Sequence, residues 1–234
     1  METPYNIYQV ELSSYCNMRC SYCPHPSMKR PKGFMNEEVL GKCIELLILR
    51  KKKLIVLHHF GEPLMHPYLK QRLEQVANSG LEIQLSSNAL LLDKMWPTLL
   101  EVRCKISVMV SVHQWVNSGE DAYISAINDL KNRASGTNIE ILEAYNIKNE
   151  SFVFHSWSQG LSDQWDVHEC PFIKFNYGVI LWNGDLAACC VDHEGYTVAG
   201  NILNEDFLNY KTLPWKACAT CDVGRIMIGE NWED

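Results

Sequence analysis

The chain has 234 residues, enough for a sizeable hydrophobic core in one large domain with a smaller appendage. Apolar residues make up 47% and charged residues 21%, as in ordinary soluble globular proteins, which argues against a disordered chain. The formal net charge of −7 gives no basic surface for phosphate backbones or anionic lipid, so we expect neither nucleic acid nor a membrane as partner.

The N-terminal sequence METPYNIYQV has neither a basic leader nor an apolar segment, and no apolar run approaches the roughly 20 residues of a spanning helix. We therefore expect a cytoplasmic protein. In that reducing compartment its ten cysteines stay as thiols that can bind metal or react.

Strand and helix patterns alternate along the first part of the chain. Strands are predicted at 8–12, 54–60, 81–88, 105–112 and 138–144, and helices at 37–50, 67–78, 92–103 and 119–134. Asn36 is the predicted cap of the first helix, and Gly80 follows the second. This order predicts parallel strands joined by right-handed crossovers, and only about five units fit before residue 156, too few for a closed eight-unit barrel.

From Ser156 onward the alternation stops, and Gly, Trp and Cys dominate the sequence. We therefore predict two domains, 1–155 and 156–234, the second held together by metal. The bridging stretch 156–169 is expected to border the substrate, although Trp157 and Trp165 within it are equally typical packing anchors.

Three cysteines follow the first predicted strand as C-x3-C-x2-C, at Cys16, Cys20 and Cys23. Thiolates at these spacings can hold an iron-sulfur cluster and leave its fourth iron without a protein ligand. A structural zinc ion is the alternative, and it would need His25 or a distant cysteine as its fourth ligand.

With Tyr22 as the aromatic residue before the third cysteine, this motif resembles the signature of the radical S-adenosylmethionine (radical SAM) superfamily. The resemblance implies a partial (β/α) barrel, SAM, and a 4Fe-4S cluster whose open iron binds it. It also implies cleavage of SAM to a 5′-deoxyadenosyl radical that abstracts a substrate hydrogen, and an external electron donor such as flavodoxin or ferredoxin.

Later positions carry the same resemblance. Phe60-Gly61-Glu62-Pro63 is similar to the Gly-Gly-Glu-Pro motif that holds the SAM amino group in the family, with Phe60 in place of the first glycine. Polar residues at the ends of the third and fourth predicted strands match further contacts to SAM. The cofactor-binding residues implied are Tyr22, Gly61, Glu62, Pro63, Ser87, Asn88, Ser111 and His113.

A second cysteine group lies near the other end of the chain, after a predicted hairpin turn at Asn183-Gly184. Its pattern, C-x18-C, a Gly-Asn-Ile triplet and C-x2-C, resembles the auxiliary-cluster domain of the SPASM/twitch group of radical SAM enzymes. The resemblance implies that a second 4Fe-4S cluster is fully ligated by Cys170, Cys189, Cys218 and Cys221. Zinc is again the alternative, since four cysteines suit it well.

Cys190 is the surplus member of this group. Adjacent residues of an extended segment point in opposite directions, and the twitch pattern favours Cys189 as the ligand. Cys190 is then either a core thiol or a hydrogen-atom donor. Cys43 and Cys104 are interpreted as small apolar residues.

The fold class expected is therefore α/β: a truncated partial (β/α) radical SAM barrel with a small C-terminal iron-sulfur domain of the twitch type. The short chain, the aromatic-Gly-Glu-Pro motif and the single auxiliary cluster are most similar to the aminocyclitol dehydrogenases, which oxidise an alcohol of 2-deoxy-scyllo-inosamine in butirosin biosynthesis. This similarity implies oxidation of an alcohol on a small aminocyclitol or sugar, with the auxiliary cluster as electron acceptor. Candidate proton acceptors are His59, Glu143 and His155.

Two alternatives stay open. One is modification of a ribosomally made peptide by epimerisation, a thioether or a carbon-carbon crosslink. About seven residues precede the first predicted strand, far below the roughly 40 of a leader-binding domain, so a separate protein would have to supply that function. The other is a zinc-stapled scaffold without enzymatic activity.

Overall fold

A mostly parallel sheet organises the protein, with the strand order β5-β4-β3-β2-β1-β6-β7. The computed structural model describes residues 5–20, 23–115, 118–143, 169–198, 200–204, 210–212, 214 and 218. Its strands are β1 (Asn6–Val10), β2 (Leu54–Leu57), β3 (Glu82–Ser87), β4 (Ile106–Val110), β5 (Ile139–Glu143), β6 (Tyr177–Ile180) and β7 (Leu186–Ala187). Its α-helices are α1 (Glu37–Leu49), α2 (Leu69–Asn78), α3 (Leu92–Glu101), α4 (Glu120–Ala134) and α5 (Pro171–Lys174).

The predicted alternation of strands and helices is confirmed, because β1 to β5 are parallel and a helix follows each of β1 to β4. The Asn36 side chain accepts a hydrogen bond from Val39 N–H at 2.9 Å and so caps α1, as predicted. Gly80 takes a positive φ of 84° just after α2, a conformation that glycine adopts without steric cost.

Strand β2 is shorter than predicted. It ends at Leu57 instead of Phe60, and the chain then turns toward the loop after β1. There the Glu62 N–H donates to the Tyr15 carbonyl oxygen at 2.8 Å. The local apolar run predicted a longer strand because the sequence does not show this long-range contact.

One face of the sheet packs against helices α1 to α4 and forms the main core. Leu57, Leu85, Val108 and Ile141 are in register across four strands, and each is buried in that core. Apolar residues of the four helices belong to the same cluster. We call this the outer face of the sheet.

The opposite, inner face carries the alternate residues of the same strands. Its members on β2 to β5 and at the end of β4 are Val56, Gln84, Ser86, Ser107, Met109, Ser111, Glu140 and Leu142. Most of these side chains are half-buried, and the majority are polar. A parallel sheet normally has helices on both faces and apolar residues throughout. This polar face is better suited to contact a ligand than to contact a helix.

Strands β6 and β7 form the hairpin predicted around Asn183-Gly184. The strands are antiparallel, and Gly184 has a positive φ of 93° in the connecting turn. Strand β6 pairs in parallel with β1, which places residues 177–187 in the same sheet as the preceding strands. The predicted boundary at 155/156 and the bridging stretch 156–169, apart from Glu169, lie outside the described residues.

No helix in the described ranges is both long and apolar enough to cross a membrane.

The register of the core gives a first prediction. Leu85→Ala removes a fully buried side chain from the central strand β3 and should lower the free energy of unfolding by about 2–5 kcal/mol, because the packed core cannot close over the cavity. Denaturant unfolding of the anaerobically purified protein measures this change. Leu49→Ala, at a side chain that is 62% exposed, is the matched control and should stay within about 0.5 kcal/mol. Equal losses for the two variants would contradict the placement of β3.

Candidate functional site

The loop between β1 and α1 carries the first cysteine group at the carboxyl ends of the strands. Cys16, Cys20 and Cys23 are all half-buried, and the Cys23 N–H donates to the Cys20 carbonyl oxygen at 3.1 Å. Burial, together with the neighbouring Cys20 and Cys16, raises the pKa of Cys23 to about 11, and the His25 N–H that donates to this thiol opposes the rise. The three predicted ligands therefore lie near one another in a single loop.

A cluster and a single zinc ion need different arrangements of the donors in this loop. Among the described residues, no three His, Cys, Asp or Glu side chains converge closely enough to hold one metal ion. A tetrahedral zinc would require sulfur atoms about 2.3 Å from one point, whereas a four-iron cluster spreads its thiolate ligands over separate irons. His25, the proposed fourth zinc ligand, is buried with its Nε2 atom 2.9 Å from the Ser14 carbonyl oxygen.

Glu62 holds the second motif against β3. Its carboxylate is buried and accepts hydrogen bonds from the Ser87 hydroxyl at 2.9 Å, Asn88 N–H at 2.8 Å and Leu64 N–H at 3.1 Å. Burial raises the pKa of the Glu62 carboxyl, and these three donors act against that rise. The sequence predicted Glu62, Ser87 and Asn88 as parts of one site, and the structure brings them together.

Asn88 connects this carboxylate to the cysteine loop. Its Nδ2 atom donates to Asn17 Oδ1 at 2.8 Å and lies 3.8 Å from Cys16 Sγ. The carboxyl group of Glu62 is close enough to Cys16 to raise the pKa of that thiol, although burial has the larger effect. A buried carboxylate, the kind of group that attracts a cation, thus lies near the Cys16 thiol.

Gly61 permits the close approach on which this arrangement depends. A Cβ atom at this position would lie 1.8 Å from the Ser13 carbonyl oxygen, far inside van der Waals contact. Pro63 begins a short 3-10 helix, Pro63–Met65, that turns the chain away after Glu62. The close approach thus requires glycine at position 61, and Pro63 directs the chain away from Glu62.

Two of the remaining predicted cofactor contacts, Ser111 and His113, follow the end of β4. The Ser111 N–H donates to the Ser87 carbonyl oxygen at 2.8 Å, and the Ser111 hydroxyl is buried with no hydrogen-bond partner among the described residues. His113 lies in the short helix Val112–Trp115, and its side chain is outside the described part of the structure. Tyr22 lies outside the described residues altogether.

The second cysteine group also comes together. Cys170 forms a small cluster with Phe172, against which Cys189 and Cys190 pack. Burial raises the pKa of Cys189 well above its usual value, and the nearby Cys190, Asp192 and Cys218 raise it further. Cys221 lies outside the described residues.

Of the three candidate proton acceptors, His59 is buried in the segment that follows β2. Burial, with Arg30 nearby, lowers its pKa well below the usual value, so the imidazole is neutral near pH 7 and is a weak base. Both ring nitrogens are buried, and a contact with the Asp192 backbone acts against the lowering of the pKa. Glu143 instead forms an ion pair with Lys131 at 2.6 Å, and His155 lies outside the described residues.

One pair at this edge of the sheet was missed by sequence reasoning. Glu11, which immediately follows β1, is fully buried and forms a bidentate ion pair with Arg30. Glu11 lies within the predicted strand 8–12, whose alternating pattern is equally typical of an acid that faces solvent. The sequence carries no local signal for this pair, because Glu11 and Arg30 are 19 residues apart.

Comparisons with known proteins agree with this geometry. The sequence profile of the Radical SAM superfamily matches residues 10–155. A tungsten-containing aldehyde ferredoxin oxidoreductase cofactor-modifying protein from Pyrococcus furiosus is 28% identical over 95 residues, 40% of this chain. That match spans only 27% of the length of the Pyrococcus protein.

Two solved structures of BtrN share the fold. BtrN in complex with AdoMet and 2-DOIA aligns with a TM-score of 0.65 and 20% identity, over 97% of this chain and 88% of BtrN. BtrN in an open conformation aligns with a TM-score of 0.54 and 20% identity, over 100% of this chain and 94% of BtrN. The predicted partial barrel is thereby confirmed as the fold.

The contact at Gly61 gives the second prediction. Gly61→Ala forces its new methyl group into the Ser13 backbone, so the cysteine loop must shift, and SAM should bind at least about tenfold more weakly. Equilibrium dialysis of SAM against the iron-loaded protein measures the affinity.

Gly41→Ala is the matched control for this variant. A Cβ atom at Gly41 in α1 would meet only the flexible Gln75 side chain, at 3.4 Å, and alanine favours the helix. SAM affinity should therefore be unchanged in this control. Unaltered SAM binding in Gly61→Ala would refute the close approach of the two loops.

Proposed function

Because the chain belongs to the radical SAM superfamily, we propose that it oxidises an alcohol of a small aminocyclitol or sugar to a ketone. Membership implies an enzyme that uses SAM and a 4Fe-4S cluster. The substrate class, the auxiliary cluster and the dehydrogenase reaction are the proposed part. The observation that carries the substrate class is the polar inner face of the sheet.

The residues around Cys16 fit the cofactor pair of the family. Cys16, Cys20 and Cys23 would hold the cluster through three irons, and the SAM amino group would meet Glu62. A carboxylate has about four acceptor positions, and Glu62 uses three of them within the protein, so one is left for an ammonium group. When bound, the two groups would supply a 5′-deoxyadenosyl radical that removes one hydrogen atom from the substrate.

The inner face supplies hydrogen-bonding groups where such a substrate would lie. Gln84 and Ser86 on β3 point to this face, as does Ser111 after β4, and all three are half-buried. Gln9 on β1 is buried, and its Oε1 atom has no hydrogen-bond partner in the described structure. Buried polar atoms are rarely left unpaired, so these positions favour a ligand with several hydroxyl or amino groups over an apolar one.

The solved structure of BtrN has the same fold and holds a small molecule as well as AdoMet. BtrN was crystallised with AdoMet and 2-DOIA, and its fold aligns over nearly the whole of this chain. At 20% identity the similarity shows the fold alone, so the substrate is inferred from the inner face and the sequence motifs together.

Oxidation of an alcohol requires the substrate to lose a proton and an electron after hydrogen abstraction. His59, two residues after the end of β2, is the candidate proton acceptor, with a neutral imidazole whose basicity is reduced by burial. We assign the electron acceptor to an auxiliary 4Fe-4S cluster held by Cys170, Cys189, Cys218 and Cys221. Flavodoxin or ferredoxin is the proposed electron donor to the first cluster.

We also place the reaction in the cytoplasm. No disulfide joins any of the nine described cysteines, which supports a reducing compartment. The net charge of −7 supports a small-molecule substrate and no nucleic acid or membrane partner.

The reaction can be tested directly under anaerobic conditions. Iron-loaded protein with SAM, dithionite and 2-deoxy-scyllo-inosamine should form 5′-deoxyadenosine and a ketone in equal amounts, both measured by mass spectrometry. Cys20→Ala should abolish both products, because the cluster loses a ligand. Cys104→Ala, at a half-buried cysteine that precedes β4 at the amino ends of the strands, is the matched control and should retain both.

Two outcomes would contradict the proposal at different points. Slow formation of 5′-deoxyadenosine without ketone would show that the substrate class is wrong. No cleavage of SAM by an iron-loaded protein would contradict the radical reaction itself.

Cys190 distinguishes this proposal from peptide epimerisation, in which its thiol would be a hydrogen donor. Its side chain packs against Val179, Leu181 and Ala187, as a core thiol does. Cys190→Ala should therefore keep the ketone yield within about twofold of the unmodified chain, less than 0.5 kcal/mol in the barrier. Loss of product with intact SAM cleavage would instead support the hydrogen-donor role.

A further inference from the structure

Arg30 uses its guanidinium group to join two distant parts of the chain. Nη1 donates to Glu11 Oε2 at 2.9 Å, Nη2 pairs with Glu11 Oε1, and Nε donates to the His193 carbonyl oxygen at 2.6 Å. The Arg30 side chain is 8% exposed and that of Glu11 is fully buried. One guanidinium therefore links the end of β1 to the segment after β7.

Glu194, in the segment after β7, also connects the two parts of the chain, here as the hydrogen-bond acceptor. Its carboxylate accepts from Lys29 N–H at 2.9 and 3.0 Å and from Arg30 N–H at 2.9 Å. Backbone amides of the cysteine loop are thus fixed by a side chain 164 residues further along the chain. We call Glu11, Arg30, His193 and Glu194 the Arg30 clamp.

The hairpin turn adds a third connection beside the clamp. Trp182 N–H donates to Glu11 Oε2 at 3.3 Å, and the Trp182 indole N–H donates to the Pro31 carbonyl oxygen at 3.1 Å. The indole also lies over Gly33, where a Cβ atom would come within 2.5 Å of the ring. Residues 29–33 are therefore held on several sides by residues 182–194.

Each segment that the clamp joins carries predicted cluster ligands. Arg30 is seven residues after Cys23, and His193 and Glu194 follow Cys189 by four and five residues. A single-point contact would leave the two segments free to rotate, whereas the bidentate pair and the backbone bonds restrict both distance and orientation.

We propose that Arg30 is a positioning residue that sets the first cysteine group against the second, and so controls how completely hydrogen abstraction leads to ketone. This inference rests on the proposed function for its product, but its geometry does not. With the clamp intact, an electron leaving the substrate has an acceptor at a fixed place. With the clamp open, SAM cleavage continues while fewer cleavage events end in ketone.

Two variants open the clamp in different ways. Arg30→Lys keeps a positive charge beside Glu11 but loses the planar fork, so it avoids leaving that carboxylate unpaired. Glu194→Ala removes only the acceptor of the Lys29 and Arg30 amides, at a half-buried position. Arg72→Lys is the matched control, because Arg72 is also buried, at 9% exposure, and pairs with Glu37 and Gln75 away from the cysteines.

The experiment compares the iron-loaded variants by product ratio and by amide exchange. Both clamp variants should lower the ketone formed per 5′-deoxyadenosine by at least about fivefold, while Arg72→Lys stays within about twofold. Glu194→Ala should also speed hydrogen exchange at the Lys29 and Arg30 amides by at least about tenfold. Iron content and SAM affinity should stay as in the unmodified chain.

The readouts separate failure of this inference from failure of the proposed function. An unchanged product ratio in both clamp variants, with faster exchange in Glu194→Ala, would overturn the positioning role. If the unmodified chain forms no ketone from 2-deoxy-scyllo-inosamine, the proposed substrate fails. In that case the spin relaxation of the reduced first cluster, measured by EPR, tests the clamp without a substrate: a change in Arg30→Lys and not in Arg72→Lys supports it, and no change refutes it.

Discussion

The buried carboxylate of Glu62 is the constraint on which the site depends. Glu62 lies in the segment that follows β2. It accepts hydrogen bonds from the end of β3 and from its own turn, and it lies near Cys16. A buried carboxylate needs such donors, because desolvation disfavours its charge. Gly61 then has to be glycine, since only a residue without Cβ lets this turn lie against Ser13. The motif is therefore a packing requirement as well as a binding one.

The two faces of the sheet have different roles. Apolar residues of the outer face are in register across the strands and pack against four helices. This core stabilises the fold. The polar residues of the inner face do not belong to this core, and they are available to a ligand.

The sequence predicted what depends on short spacings. The cysteine loop, the Phe60–Pro63 turn, the Asn36 cap and the hairpin at Gly184 are local patterns, and the structure contains the parts of each that it describes. The Arg30 clamp could not be predicted in this way, because Arg30 and Glu194 are far apart in sequence and each is an ordinary charged residue alone. The pairing of β6 with β1 was not predicted for the same reason, because the two strands are far apart in the sequence.

The two buried acids illustrate how a binding carboxylate differs from a structural one. Glu11 faces a cation, and Arg30 occupies both of its oxygens, so the pair is neutral and has little left to offer a ligand. The donors to Glu62 are the neutral hydroxyl of Ser87 and two backbone N–H groups, which stabilise the negative charge without cancelling it. A buried acid whose donors are all neutral can attract a cation from outside the protein, and in the function proposed above that cation is the ammonium group of SAM. The chemistry of the partners, more than burial itself, thus separates the residue that binds from the residue that holds the fold.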